Sequence, residues 1–311
     1  MDQVVLFLAA AVISGTPLLF ATLGEIITEK TGNLNLGVEG MMLMGAVFGF
    51  YAGIITDNPL LAVLAGAFGG FLGSLIYAFL TIQLRANQVV CGLSLTIFGT
   101  GLSDFMGNSL SGKTIPSGIK EFFKPYKIPI LGDIPFVGKI FFYHDVYVYM
   151  GFIIAILLGI YLYKTRSGLS LRSVGESPST SDAAGISVAF YKYFNTLLGG
   201  ALCGLGGAYL SLVYVPTWQN GITAGRGWIA IALVIFATWN PYKAIFGAYI
   251  FGGLDIIGFR LQGTRFAISQ YFIDMLPYIV TILVLVFVSL KKSKNNAPPK
   301  SLGEAYFREE R

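Results

Sequence analysis

Residues 107–114 read GNSLSGKT, a letter-for-letter match to G-x-x-x-x-G-K-[ST], the glycine-rich loop that cradles phosphates. A working loop of this kind would make the chain an α/β nucleotide-binding protein; otherwise the surrounding sequence decides the fold. Such a loop follows a buried strand and opens a helix, whose free N–H groups hold the phosphates. Here the eight residues end a long apolar run, and Pro116 and Gly118 follow at once. No helix reads onward through IPSGIKEFFKPYKIP, residues 115–129, and no apolar strand ending in Asp accompanies it. The stretch therefore reads as a polar turn at the end of a membrane helix. Any ATP consumed with this chain is hydrolysed by another one.

Outward from that turn, apolar runs dominate. Of 311 residues, 55% are hydrophobic and 12% charged, against roughly 25% charged in a soluble domain. So little charge cannot solvate a globular surface. Repeated apolar runs of about 20 residues indicate an all-α polytopic membrane protein. The 39 glycines agree, because small residues let membrane helices approach closely. Cys91 and Cys203 lie far apart in apolar runs and read as buried, inert thiols. His144 is the only histidine and no Cys pair has metal-ligand spacing, so neither a metal site, a catalytic triad nor a cofactor is expected. The net charge of +5 comes from basic residues beside apolar spans, not from a nucleic-acid surface. No Lys or Arg precedes the first apolar run, which reads as a retained span rather than a signal peptide.

Candidate spans are 4–24, 37–56, 59–83, 88–107, 145–163, 190–215, 228–240, 243–258 and 272–290. The run 228–240 is short for a crossing, and a half-helix within 259–271 would make ten, so eight to ten spans are expected. Residues 1–290 then form one transmembrane domain. Lys164, Arg166 and Arg172 in one connection, and Lys291, Lys292, Lys294 and Lys300 in the tail, place 164–176 and the tail 291–311 in the cytoplasm. Counting back puts 25–36 and Arg85 inside, and 108–143 and the N-terminus outside. Five lysines in the 36-residue outer loop run against the charge rule, which weighs short loops most. NPLLAVLAGAFGG (58–70) resembles NPYKAIFGAYIFGG (240–253), and the two turns fall on opposite sides, as in an inverted-topology repeat.

Three polar stretches interrupt this pattern. In EKTGNLNLGVEGMMLMGAVFGFYAG (29–53), Gly32, Asn33, Asn35 and Gly37 lead into a span that carries Glu39 one turn inside. Glu39 either caps its own helix, where the dipole favours an anion, or lines a translocation pathway with Asn33 and Asn35 at a broken helix. Gly45, Gly49 and Gly53 make a packing ridge beyond it. In RSGLSLRSVGESPSTSDAAGISVAFYKYFN (166–195), Ser177 is a good N-cap, Pro178 fits the first helical position and Gly185 is a natural stop. A capped two-turn helix between two spans reads as a docking element. In TAGRGWIAIALVIFATWNP (223–241), Arg226 sits between two glycines at the start of the short span. It is either an interfacial anchor beside Trp228 or a pathway donor, or a partner for Glu39.

At these stretches, and at RANQVVCGLSL (85–95), the chain resembles permease subunits of ATP-driven (ABC) importers in the branched-chain amino acid, ribose and nucleoside group. It is most similar to the nucleoside or simple-sugar branch, and the match covers most of residues 20–260. The resemblance implies a cobalamin-permease-like fold with two halves of opposite topology. It implies a coupling helix at 176–187, with Glu176, Ser177, Pro178, Ser179, Asp182, Ala183, Ala184 and Gly185 meeting a cytoplasmic ATPase. Asp182-Ala183-Ala184-Gly185 departs from the E-A-A-x-x-x-G pattern of the other large importer class. Further implied partners are a second, different permease subunit and a substrate-binding lipoprotein outside the bacterial plasma membrane. The expected cargo is a nucleoside or a related small polar solute, such as a simple sugar or a vitamin. The alternative is an ion-coupled secondary transporter. That reading wants ionisable groups deep in the spans, whereas Glu39, Asp104, Arg226, Asp255 and Asp274 all fall near span ends.

Overall fold

The structure is a computed structural model that describes residues 2–261, 272, 275, 276, 278–283, 286 and 297–308. The half-helix within 259–271, Asp274 and Lys291, Lys292 and Lys294 lie wholly or mostly outside the described residues, and the expected span 272–290 lies partly outside them. The helices are α1 (Asp2–Glu29), α2 (Val38–Thr56), α3 (Pro59–Ala78), α4 (Gln88–Gly107), α5 (Ser117–Phe122), α6 (Val137–Phe141), α7 (Val146–Lys164), α8 (Arg166–Glu176), α9 (Pro178–Ala183), α10 (Val188–Tyr209), α11 (Arg226–Phe236) and α12 (Pro241–Leu261). Wider π turns extend α3 through Phe79–Gln83 and α10 through Leu210–Tyr214. A two-residue ribbon pairs β1 (Tyr126–Lys127) with β2 (Tyr143–His144). Among the described residues, six helices, α1–α4, α7 and α10, are long and apolar enough to cross a membrane, and α11 is shorter.

Several boundaries move. The first span runs on to Glu29, so Glu25 and Glu29 belong to a membrane helix rather than to a polar loop. The expected run 228–240 becomes an 11-residue half-helix. The connection after α7 holds two helices, not one: Thr165 caps α8 by accepting from Gly168 N at 3.0 Å, and α8 buries Gly168, Leu171, Val174 and Gly175.

The phosphate-loop lookalike is taken apart by its surroundings. Its first residue, Gly107, ends α4 against the ring of Trp218. Thr114 bridges Thr217, Trp218 N donates to Lys113 O at 3.1 Å and Ile115 N donates to Pro216 O at 3.1 Å. The end of the stretch is thus paired with residues 216–218, and Lys113 N donates to Leu110 O at 2.9 Å. A helix does form beyond it, α5, contrary to the sequence reading. It has six residues and starts after Pro116 rather than at Thr114.

The core is a set of close helix crossings made by glycine, as van der Waals packing in lipid requires. The backbones of α1 and α10 meet at Gly24 and Gly199. A Cβ added at Gly204 on α10 would lie 2.8 Å from Gly70 N on α3, and one at Gly252 on α12 would lie 2.7 Å from Gly15 Cα on α1. Gly70 and Gly252 are equivalent positions of the internal repeat. Its two Asn-Pro turns match as well: Asn58 accepts from Leu60 N and Asn240 from Tyr242 N, both at 2.9 Å. Asn58 and its neighbour Asp57 lie at the end of the molecule that holds α5, whereas Asn240 lies at the end that holds Lys30 and α8. The repeat is therefore inverted. α10, α2 and α3 pack among themselves as α1, α11 and α12 do, and α2 meets α11 at the centre. Gly45 and Gly49 of the expected ridge face Gly204 and Ala208 of α10. Cys91 and Cys203 are free and buried.

Overpacking a fitted contact costs about 1–3 kcal/mol and more where backbone must move. Gly204→Leu and Gly252→Leu are therefore both expected to lower the unfolding temperature in detergent by several degrees. Gly101→Leu, whose Cβ meets nothing within 4 Å, should leave it unchanged. Equal tolerance of all three by scanning fluorimetry would contradict the paired crossings.

Candidate functional site

The segment 30–37 between α1 and α2 is irregular backbone held inside the protein, so its polar groups need internal partners. They find side chains. Leu34 N donates to Gln88 Oε1 at 2.6 Å, and Leu34 O accepts from the Tyr77 hydroxyl at 2.7 Å. Leu36 O accepts from Thr96 Oγ1 at 3.1 Å. Asn35 donates twice to Glu25, from its backbone N at 3.2 Å and its amide at 3.0 Å, while its Oδ1 accepts from Gly37 N at 2.9 Å. Asn33 donates to Thr196 Oγ1 at 2.9 Å. Both asparagines are buried; their amides hold the break in shape. Gly32 turns the chain at φ +88°, a left-handed conformation that favours glycine.

Glu39 sits in the first turn of α2 and is 8% exposed. Its hydrogen-bond partners lie neither on its own helix nor on the Arg226 side chain. Its Oε1 accepts from Thr223 Oγ1 at 2.6 Å and Gly225 N at 2.9 Å, and its Oε2 accepts from Gly227 N at 2.6 Å. These donors are the N-terminus of α11. One carboxylate thus lies between two helix N-termini, where both dipoles favour it, and satisfies N–H groups that would otherwise be orphaned. Gly227 is required by contact: a Cβ there would lie 2.5 Å from both Glu39 N and Cα.

Arg226 points the other way. Its guanidinium pairs with Asp255 at 3.3 Å, donates to Thr223 O at 3.4 Å and lies 5.5 Å from the Tyr214 ring centre. Asp255 also accepts from Ser14 Oγ at 3.2 Å. So α1, α10, α11 and α12 converge on a largely buried ion pair next to the α2–α11 junction. At the far end of α11, the Trp239 indole donates to Glu29. Sequence reasoning missed Glu25, Glu29, Thr223 and Asp255 as site residues. The signal for the first two was present, two carboxylates four residues apart at the end of an apolar run. Ending the span at residue 24 hid it.

Of the residues expected to dock, Glu176 ends α8 and the others lie on α9 or flank it. Pro178 opens it, and Gly185 follows its end at φ +80°. Ser177 occupies the N-cap position, but its hydroxyl meets Thr180 Oγ1 at 2.7 Å rather than a backbone N–H. Ser179, Ala183, Ala184 and Gly185 are exposed, while Ser181 is buried against α8 through Ser173 Oγ at 2.7 Å. α9 therefore rests on α8 and presents a small-residue outer face. Among the described residues, no group of three His, Cys, Asp or Glu side chains is placed to hold a metal ion.

A charge-assisted hydrogen bond contributes about 1.5–3 kcal/mol. Glu39→Gln keeps an acceptor for one side of the junction and turns an amide N–H₂ toward the other donors. Hydrogen exchange at Gly225–Gly227 is expected to rise about tenfold or more, with a fall in melting temperature. Unchanged protection at those amides would remove Glu39 from the junction.

Comparison with known proteins follows the same lines. Residues 7–285 match the family described as branched-chain amino acid transport system / permease component. TsgC13 of Haloferax volcanii, an ABC transporter permease protein provisionally assigned to glucose, is 37% identical over 97% of each chain. The nucleoside ABC transporter permease protein NupC of Lactococcus lactis is 34% identical, covering 90% of this chain and 91% of its own. The guanosine ABC transporter permease protein NupQ of Bacillus subtilis is 35% identical, covering 97% and 96%. A chain of the solved structure of PsaBC from Streptococcus pneumoniae in complex with Fab shares the fold, with a TM-score of 0.50 at 13% identity over 93% of each chain. The all-α, two-half architecture implied by the resemblance is the one observed. The chain is a non-catalytic integral membrane subunit of an ABC transporter and belongs to the branched-chain amino acid transport permease family.

Proposed function

We propose that this chain is the translocation subunit of an ATP-driven importer for a nucleoside or a related small polar solute, such as a simple sugar or a vitamin. The observation that carries the coupling half of this reading is α9: a short, exposed helix fixed on α8 and held between two long spans, α7 and α10. A push on it must move those spans. Its small outer face suits insertion into a groove on a separate ATPase. The substrate half rests on whole-length likeness to permeases named for nucleosides, guanosine and glucose. The basic residues Lys30, Arg85 and Arg172 support a cytoplasmic assignment for the face that also bears residues 297–308.

In this reading Glu39 and Arg226 border the pathway, and Asn33 and Asn35 brace the break behind them. An extracytoplasmic binding lipoprotein delivers the solute, and a second, different permease subunit completes the pathway. Opening is a change at the α2–α11 junction, where two half-sites of opposite topology meet, as in other inverted-repeat transporters.

The test replaces Ala183 with Trp, which is too large for a groove fitted to alanine. The permease should insert normally, while co-purification of the ATPase and substrate-stimulated hydrolysis both fall to a small fraction of wild type. Wild-type values for both would overturn the docking role. Uptake of labelled guanosine against labelled glucose by vesicles carrying the assembled transporter identifies the cargo class. Failure to transport either, by a complex whose ATPase is active, would set aside both named cargoes.

A further inference from the structure

Residues 297–308 are not a loose tail. Ser301 donates to Gly175 O from its backbone N at 3.0 Å and from its hydroxyl at 2.7 Å, which satisfies a carbonyl in the last turn of α8. Gly303 N donates to Gly32 O at 3.1 Å, in the loop between α1 and α2. Glu304 O accepts from Gln88 Nε2 at 3.3 Å, and the same Gln88 side chain holds Leu34 N. Arg85 stacks over Phe307 at 4.7 Å. The segment then reaches α9, where Tyr306 OH donates to Asp182 at 2.8 Å and Arg308 pairs with the same carboxylate at 3.2 Å. Ser301 is buried; Glu304, Phe307 and Arg308 stay exposed beside α9.

Each of these anchors lies on a different part of the machine. Gly175 and Asp182 belong to the α8–α9 elbow, Gly32 to the break that leads to Glu39, and Gln88 to the start of α4. The sequence of contacts forms a continuous chain from α9 to the loop that positions α2. Long-range coupling needs such contiguous packed and hydrogen-bonded parts. We infer that residues 297–308 are part of the docking apparatus: they brace α9 for the ATPase and carry its movement to the α1–α2 break, in parallel with α7 and α10. The inference rests on the reading of α9 as the ATPase-docking helix. The partner it fits is that same ATPase, which would meet Phe307 and Arg308 at the edge of the α9 footprint.

The experiment uses the complete transporter, purified with its ATPase, in four forms: wild type, a chain ending at residue 296, the double variant Tyr306→Phe/Arg308→Gln, and Ala183→Trp. Three quantities are read: the ATPase-to-permease ratio, substrate-stimulated over basal hydrolysis, and the melting temperature of the permease. The shortened chain should lose at least fivefold in stimulation, and the double variant about two- to threefold, with melting within about two degrees of wild type. Full stimulation in both would overturn the inference while Ala183→Trp still loses the ATPase. Stimulation that falls only in step with melting would reduce the segment to a structural brace and overturn it too. If the shortened chain does not fold, the double variant decides alone. If Ala183→Trp keeps both ATPase and stimulation, the docking reading itself has failed, a result distinct from the others.

Discussion

The carboxylate of Glu39, held between the N-termini of α2 and α11, is the contact on which the rest of the architecture turns. Two helices of opposite direction can begin inside a membrane protein only if their free N–H groups are satisfied there. Glu39 meets that need for α11 from the first turn of α2, with distances of 2.6–2.9 Å. A glycine at 227 lets the two backbones come close enough for it to do so. Without an acceptor at that point, the inward path of residues 215–225 and the buried start of α11 would leave backbone N–H groups unsatisfied.

The surrounding parts follow from that constraint. The break before α2 has its own acceptor, Glu25, and its own donors from Gln88, Tyr77 and Thr96. The loop before α11 has Thr223 and the Arg226–Asp255 pair. The two breaks occupy equivalent places in the inverted repeat but use different side chains. Glycine crossings supply the rigid frame: α3 on α10 and α12 on α1. Close-packed frames change between discrete arrangements rather than deform continuously, which would suit the opening proposed at the junction. The ends of the same helices carry the parts proposed to meet a partner, α9 on its α8 support and residues 297–308 beside it.

The sequence alone determined a good deal. Low charge and repeated apolar runs imposed a membrane protein, because nothing else could solvate so apolar a chain. Pro178 and Gly185 marked α9, because proline presets the first helical φ and glycine accepts a left-handed one. The Asn-Pro turns at 58 and 240 revealed the repeat. The surroundings of GNSLSGKT excluded a phosphate loop. All of these are local rules of backbone conformation or solvation, which a single stretch of residues carries by itself.

Tertiary structure alone decided who partners whom. Glu39 could cap its own helix, pair with Arg226 or face a pathway, and only the meeting of residues 186 positions apart showed that it binds the backbone at Gly225. Arg226 was matched with Asp255 rather than with Glu39 for the same reason. The amides of Asn33 and Asn35 read as pathway groups in sequence and prove to be engaged by Thr196 and Glu25. The segment 297–308, polar and rich in turn residues, reads as a tail, yet its backbone N–H groups cap α8 and the α1–α2 loop. Hydrogen-bond partners across such separations are chosen by how the helices pack, and packing is set by glycine contacts between distant spans that no local pattern records.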